Sequence, residues 1–234
     1  MAIRDNLNTV KDRIKEACER ASRNSNEVKL VAVSKFHPAE SVVEAIQCGQ
    51  FLFGENRVQE AKAKFEQVRQ EYPEAKLHII GSLQRNKVKD AVKICECIES
   101  VDRIELLDEI EKHCAKINKK IDVLFELHTG EESKSGFPDF DSLKCAVELC
   151  KEGKYPHVNP KGFMTMAPFT EDKQLIRKSF STLRKCSDQL KKEYTQFDLC
   201  ELSMGMSNDF EIAIEEGSTM IRVGTSIFGK RNYN

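Results

Sequence analysis

The chain has 234 residues, with 37 Lys and Arg against 38 Asp and Glu, 40% hydrophobic and 32% charged residues, 9 cysteines and no tryptophan. That length suits one globular domain or two small ones. A net charge of −1 with no long run of one sign excludes a dedicated basic face for nucleic acid or a membrane surface. An odd number of cysteines, scattered without close pairing, excludes a secreted disulfide framework and points to reduced thiols in a cytoplasmic compartment.

The start, MAIRDNLNTVKDRIKEACERA, carries Ile3, Leu7, Val10, Ile14 and Ala17 at helical spacing with both charge signs between them. This is an amphipathic helix rather than a signal or transit peptide, and no later apolar run approaches membrane-spanning length. Short apolar runs then alternate with amphipathic stretches. The strand-like runs are VKLVAVSK (28–35), FLFGE (51–55), LHIIG (77–81), CIESV (97–101), DVLFELHT (122–129), KGFMTM (161–166), DLCELSM (198–204) and TMIRVGTSIFG (219–229). Helical stretches fall at 39–48, 57–71, 84–94, 103–117, 141–151, 171–192 and 208–216. Alternation of this kind predicts an α/β fold. At roughly 26 residues per unit it is close to the minimum for a (β/α)8 TIM barrel, preceded here by an additional N-terminal helix and occupying residues 1–234 as a single domain. A doubly wound open sheet also accommodates the strands, but no Gly-rich phosphate fingerprint follows the first one. The polar segment GEESKSGFPD (130–139) reads as a mobile flap.

In such a barrel the site is built at the carboxyl ends of the strands, and chemically capable residues collect there. Lys35 ends the first strand, Gly54-Glu55-Asn56 the second, Gly81-Ser82 the third, Met164-Thr165 the sixth and Ser203-Met204-Gly205-Met206-Ser207 the seventh. Lys35 follows the apolar run Leu30–Val33, where burial and nearby cations free an amine to attack carbonyl groups; a single lysine at a strand end more often snorkels to water. Arg222 interrupts Met220-Ile221-Arg222-Val223, in a strand that should be buried, and needs a partner across the barrel or in a ligand. Gly224-Thr225-Ser226 follows at once, with Ser203 and Ser207 nearby, as in an anion cradle late in a barrel. A nucleophilic lysine, an arginine within a strand and a phosphate cradle together suggest a phosphorylated aldehyde, with pyridoxal 5′-phosphate (PLP) the obvious candidate.

The segments VAVSKFHP, FGENRVQE, HIIGSLQRNKVK, GEESKSG, GFMTM and ELSMGMSNDFEIAIEEGSTMIRVGTSIFG, in that order, resemble the pyridoxal phosphate homeostasis (YggS/PROSC) family over almost the whole chain. The resemblance implies the barrel of the alanine racemase N-terminal domain. It also implies Lys35 as the Schiff-base lysine and Arg222 facing the pyridine nitrogen. Ser203, Met204, Gly224 and Thr225 would sit at the phosphate, Asn56 and Met164 would line the cofactor, and His78 would lie in the barrel wall beneath. His128-Thr129-Gly130-Glu131 is one residue shorter than the family's usual Asn-Thr-Ser-Gly-Glu, so no site residue is assigned there. Met166-Ala167-Pro168 also differs slightly from the usual sequence.

A guanidinium stays charged, so a ring nitrogen beside it remains unprotonated and is a poor electron sink. The racemases also take a tyrosine base from a second domain and a partner subunit, and no second domain is expected here. The expected function is therefore a carrier that holds and releases PLP in vitamin B6 homeostasis without strong catalysis. The alternatives are a weak single-domain racemase or lyase and, with lower weight, a Schiff-base aldolase without cofactor. PLP and PLP-dependent apoenzymes are the expected partners, with no nucleic acid and no membrane, and the chain is expected to be a monomer. Cys95-Glu96-Cys97, Cys145 and Cys150, and His113-Cys114 lack the spacing of a zinc site. His37 and His157 read as surface histidines.

Overall fold

The computed structural model describes residues 2–130 and 135–229. Residues 131–134 of the anticipated flap, Glu131 among them, therefore lie outside the described residues. The helix α1 (Ile3–Arg20) comes first. Eight strands follow, β1 (Lys29–Val33), β2 (Leu52–Glu55), β3 (Lys76–Ile79), β4 (Cys97–Val101), β5 (Ile121–Glu126), β6 (Val158–Met164), β7 (Glu201–Ser203) and β8 (Met220–Val223). Between them stand α2 (Ala39–Gln47), α3 (Val58–Glu71), α4 (Val88–Ile94), α5 (Ile104–Lys116), α6 (Phe140–Lys151), α7 (Lys173–Glu193) and α8 (Phe210–Glu215). The strands are parallel and close in sequence order, β8 pairing with β1 through Val31↔Arg222. This is the expected TIM barrel with its extra N-terminal helix.

Period-two alternation decides what each strand residue meets. In β1, Leu30 and Ala32 pack outward into the apolar layer under the helices, while Val33 faces the interior. The outer layer includes edge-on contacts of Phe53 with Phe65 and of Phe125 with Phe137. The apolar stripe of α1 (Leu7, Val10, Ile14, Ala17) is buried against α2, α8 and a last helical turn, α9 (Thr225–Phe228). Asn6 Nδ2 donates to the Ile227 carbonyl at 2.8 Å and Arg13 Nε to Glu211 at 3.0 Å, fixing α1 across the seam.

Several boundaries differ from expectation for local reasons. The run 219–229 is not one strand: β8 stops at Val223, and the Ile227 and Phe228 amides both donate to the Gly224 carbonyl, winding Thr225–Phe228 into a helical turn. β7 shrinks to Glu201–Ser203. β6 starts at Val158, three residues before the expected run, and accommodates Pro160 through a bulge: Val123 pairs with Pro160 and Leu124 with Gly162, leaving Lys161 as the extra residue. The helix expected at 84–94 opens with a 3-10 turn, Arg85–Lys87, before α4. His157 is half-buried, its Nδ1 2.7 Å from Glu111 Oε1, rather than a free surface group.

Candidate functional site

The inward positions of β3, β4, β7 and β8 carry a polar line through the barrel. His78 Nδ1 lies 2.7 Å from Glu99 Oε1, Ser203 Oγ donates to Glu99 Oε2 at 2.5 Å, and Arg222 Nη1 donates to Ser203 Oγ at 2.6 Å. Arg222 Nη2 donates to the Thr165 carbonyl at 2.9 Å. The partner that the sequence demanded for Arg222 is therefore supplied from β7 and the end of β6, with the Glu99 carboxylate behind it. Burial alone would raise the Glu99 pKa, but His78, Arg222 and Ser203 outweigh it and hold the carboxyl below its ordinary value. Beside this line, Cys97, Leu124 and Met164 fill the interior with apolar contacts.

Above the polar line opens a cavity of about 520 Å³, within the size range of small-molecule sites. Lys35, Asn56, Arg222, Gly224 and Thr225 all line it, together with Val33 and Ile80. Ser207, Asn208 and Asp209 form one side, and Met166, Pro168, Phe169 and Ile176 an apolar side. A Cβ on Gly224 would lie 3.0 Å from the Val33 carbonyl oxygen, so glycine there lets the β8 end approach β1 and leaves the cradle open. Five of the nine anticipated site residues thus meet in one cavity wall, and the other four stand beneath or behind it. His78 and Ser203 belong to the polar line, and the single hydroxyl proton of Ser203 goes to Glu99. Met164 is fully buried in the interior apolar cluster, its neighbour Met166 taking the place in the wall. Met204 packs outward in the main core, with its backbone N–H on the Met220 carbonyl.

Two interior carboxyls escaped the sequence reading. Glu99 in CIESV and Glu126 in DVLFELHT each follow an inward apolar residue by two positions, and a charged side chain inside a buried strand is the same signal that exposed Arg222. Glu126 is buried, accepts from Ser135 Oγ at 3.0 Å through Oε1, and has no hydrogen-bond partner for Oε2 among the described residues. Burial pushes its pKa up to about 6, against the pull of Ser135 and Arg222. Glu55, by contrast, faces outward to Lys64 on α3.

The alanine racemase N-terminal domain family matches residues 5–232. The pyridoxal phosphate homeostasis protein of Aquifex aeolicus is 43% identical over 98% of both chains, and that of Homo sapiens is 37% identical over 97% of this chain and 86% of its own. PipY of Synechococcus elongatus, solved with PLP bound, is 33% identical with a TM-score of 0.84, covering 97% of this chain and 100% of its own. An alanine racemase from Clostridium difficile shares the fold, with a TM-score of 0.73 at 18% identity, over 98% of this chain and 56% of the racemase. Sequence, barrel and cavity agree, and the chain belongs to the alanine racemase N-terminal domain family and, within it, to the pyridoxal phosphate homeostasis proteins.

Proposed function

We propose that the chain binds PLP in the cavity above Arg222 and acts as a carrier in PLP homeostasis. The observation that carries this reading is the convergence of the Lys35 amine, the Arg222 guanidinium, the Asn56 amide and the Thr225 hydroxyl on one cavity whose glycine cradle remains open. This donor set suits a phosphorylated aldehyde, with an amine for the carbonyl carbon and N–H and O–H donors for the anion. Relatives named for PLP homeostasis, and a solved relative with PLP bound, support the assignment.

When bound, the cofactor supplies an aldehyde carbon that a lysine amine can attack. Lys35 presents that amine from the end of β1. Arg222, locked by Ser203 and the Thr165 carbonyl, offers N–H donors to a ring nitrogen without giving up a proton. It therefore orients the ring without turning it into a strong electron sink, which favours holding over catalysis. Gly224 and Thr225, with Ser207 in the same cavity lining, would hold the phosphate, while Ser203 and Glu99 brace the arginine from below and His78 braces Glu99 in turn.

The chain works in this reading as a monomer in the cytoplasm, handing PLP to dependent apoenzymes. Its nine cysteines are all free thiols, consistent with a reducing compartment. Among the described residues, no helix is long and apolar enough to cross a membrane. The test is borohydride reduction of the PLP-treated protein followed by peptide mapping. Label on Lys35 that disappears in Lys35→Ala is expected; colourless, unlabelled wild-type protein would sink the proposal. Solvent deuterium appearing at the α-carbon of a single amino acid, and lost in Lys35→Ala, would favour the racemase alternative over the carrier.

A further inference from the structure

Lys35 sits in a tight turn. The His37 amide donates to the Ser34 carbonyl at 3.0 Å, and Phe36, in the third position, has φ +66. A third turn residue with positive φ is ordinarily glycine or asparagine, because a β-carbon is crowded there. Something outside the turn must hold it.

The holding group lies on α3. The Lys64 side chain is only 6% exposed, and its Nζ donates to the Ser34 carbonyl at 2.8 Å, to Glu55 Oε1 at 2.6 Å and to Glu60 Oε1 at 3.1 Å. These three bonds use every proton of the ammonium. Glu60 Oε1 also accepts the Phe36 amide at 2.7 Å, and Ser34 Oγ donates to Glu55 Oε1 at 2.7 Å. The two peptide units that bound Lys35 are thus both pinned, one by the Lys64 ammonium and the other by Glu60. None of Glu55, Glu60 and Lys64 lines the cavity. Burying an ammonium is costly, and well-packed apolar residues would stabilise a helix–strand contact as well. The network has a local task instead.

We infer that Lys64, Glu60 and Glu55 form a clamp of positioning residues that fixes the backbone on either side of Lys35 and so presets the direction of its amine. The clamp rests on the proposed covalent role of Lys35 for its purpose, though not for its geometry. A preset amine removes the ordering cost from the condensation step, so the clamp acts mainly on the rate of PLP capture.

Three variants test it. Glu60→Ala removes the acceptor for the Phe36 amide, Glu60→Gln keeps an acceptor oxygen, and Lys64→Met with Glu55→Gln removes the buried pair together so that no lone charge is left inside. Glu60→Ala should speed hydrogen exchange of the Phe36 amide in cofactor-free protein and slow borohydride-trapped labelling of Lys35 by PLP, each by about tenfold, with an unchanged melting temperature. The double variant should slow labelling to a similar extent. Glu60→Gln should stay within about twofold of wild type on both measures, a rescue that a bulk structural role would not give. Wild-type labelling rates in Glu60→Ala and in the double variant would overturn the clamp. If wild-type Lys35 takes no label at all, the binding reading fails separately. The Phe36 exchange rate still decides the clamp: protection retained in Glu60→Ala overturns it and protection lost upholds it.

Discussion

Arg222 and Glu99 are coupled through one hydroxyl: Nη1 of Arg222 donates to Ser203 Oγ at 2.6 Å, and the same oxygen passes its proton to Glu99 Oε2 at 2.5 Å. A cation in β8 and an anion in β4 therefore compensate each other without touching. Both are buried, Arg222 at 4% exposure and Glu99 at 0%.

Removing one member strands the other. Arg222→Leu should cost roughly 3 kcal/mol, because it leaves the Glu99 carboxylate with less compensation and the Thr165 carbonyl without its donor. Adding Glu99→Gln should recover part of that loss. Urea denaturation of the two single variants and the double variant gives the coupling directly, and strict additivity would refute the link through Ser203.

Glu126 predicts a pH dependence with a definite sign. Its folded pKa of about 6 lies above the ordinary 4.5, so the folded protein binds that proton more tightly than the unfolded chain does. The contribution to stability is complete below about pH 4.5 and is lost as pH rises through about 6; at about 1.4 kcal/mol per pH unit the loss is about 2 kcal/mol. Glu126→Gln should therefore gain stability relative to wild type above pH 6 and little below pH 4.5. Chemical denaturation at pH 4.5 and pH 7.5 measures it, and an equal change at both values would contradict the assignment.

In the proposed PLP site, Thr225 is the residue whose loss should separate phosphate recognition from aldehyde recognition. Thr225→Val keeps the shape of the wall but removes a donor, so PLP affinity should fall by about tenfold while pyridoxal, which lacks the phosphate, binds as before. Spectroscopic titration with both compounds gives the ratio. An equal loss for both would move the phosphate away from the β8 end.

Gly162 has no room for a side chain. Its φ is +148, and a Cβ there would lie 2.0 Å from the backbone oxygen of Glu201 on β7, its register partner. Gly162→Ala should destabilise the protein by at least about 3 kcal/mol, since backbone on both sides must move. A urea midpoint within error of wild type would show that the β6–β7 approach is looser than described.

The parts of the site legible in the sequence were those where one residue breaks a local pattern. Arg222 interrupts an apolar strand, and Lys35 and Asn56 end two others; all three line the cavity. Glu99 and Glu126 break the same pattern, but a lone carboxyl in a short run is as readily solvent-facing as interior. The clamp was illegible for a different reason. It joins Ser34, Phe36, Glu55, Glu60 and Lys64 across three elements, and Lys64 on its own looks like any lysine of an amphipathic helix. The end of β8 is not legible because TSIF suits a strand by composition, whereas the hydrogen bonds back to Gly224 make it a helical turn.

The seam of this barrel joins opposite ends of the sequence. β1 pairs with β8, and α1 has its apolar stripe against α8 and α9. On the ribosome, which releases the N-terminal side first, α1 and β1 meet α2 and β2 early but must wait for α8, β8 and α9 until residues 210–228 have emerged. The loop closed at that moment is almost the whole chain, so sealing the barrel is a late and slow event. Until then the half-cavity of Lys35 faces no Arg222, and a nascent chain cannot make the complete site.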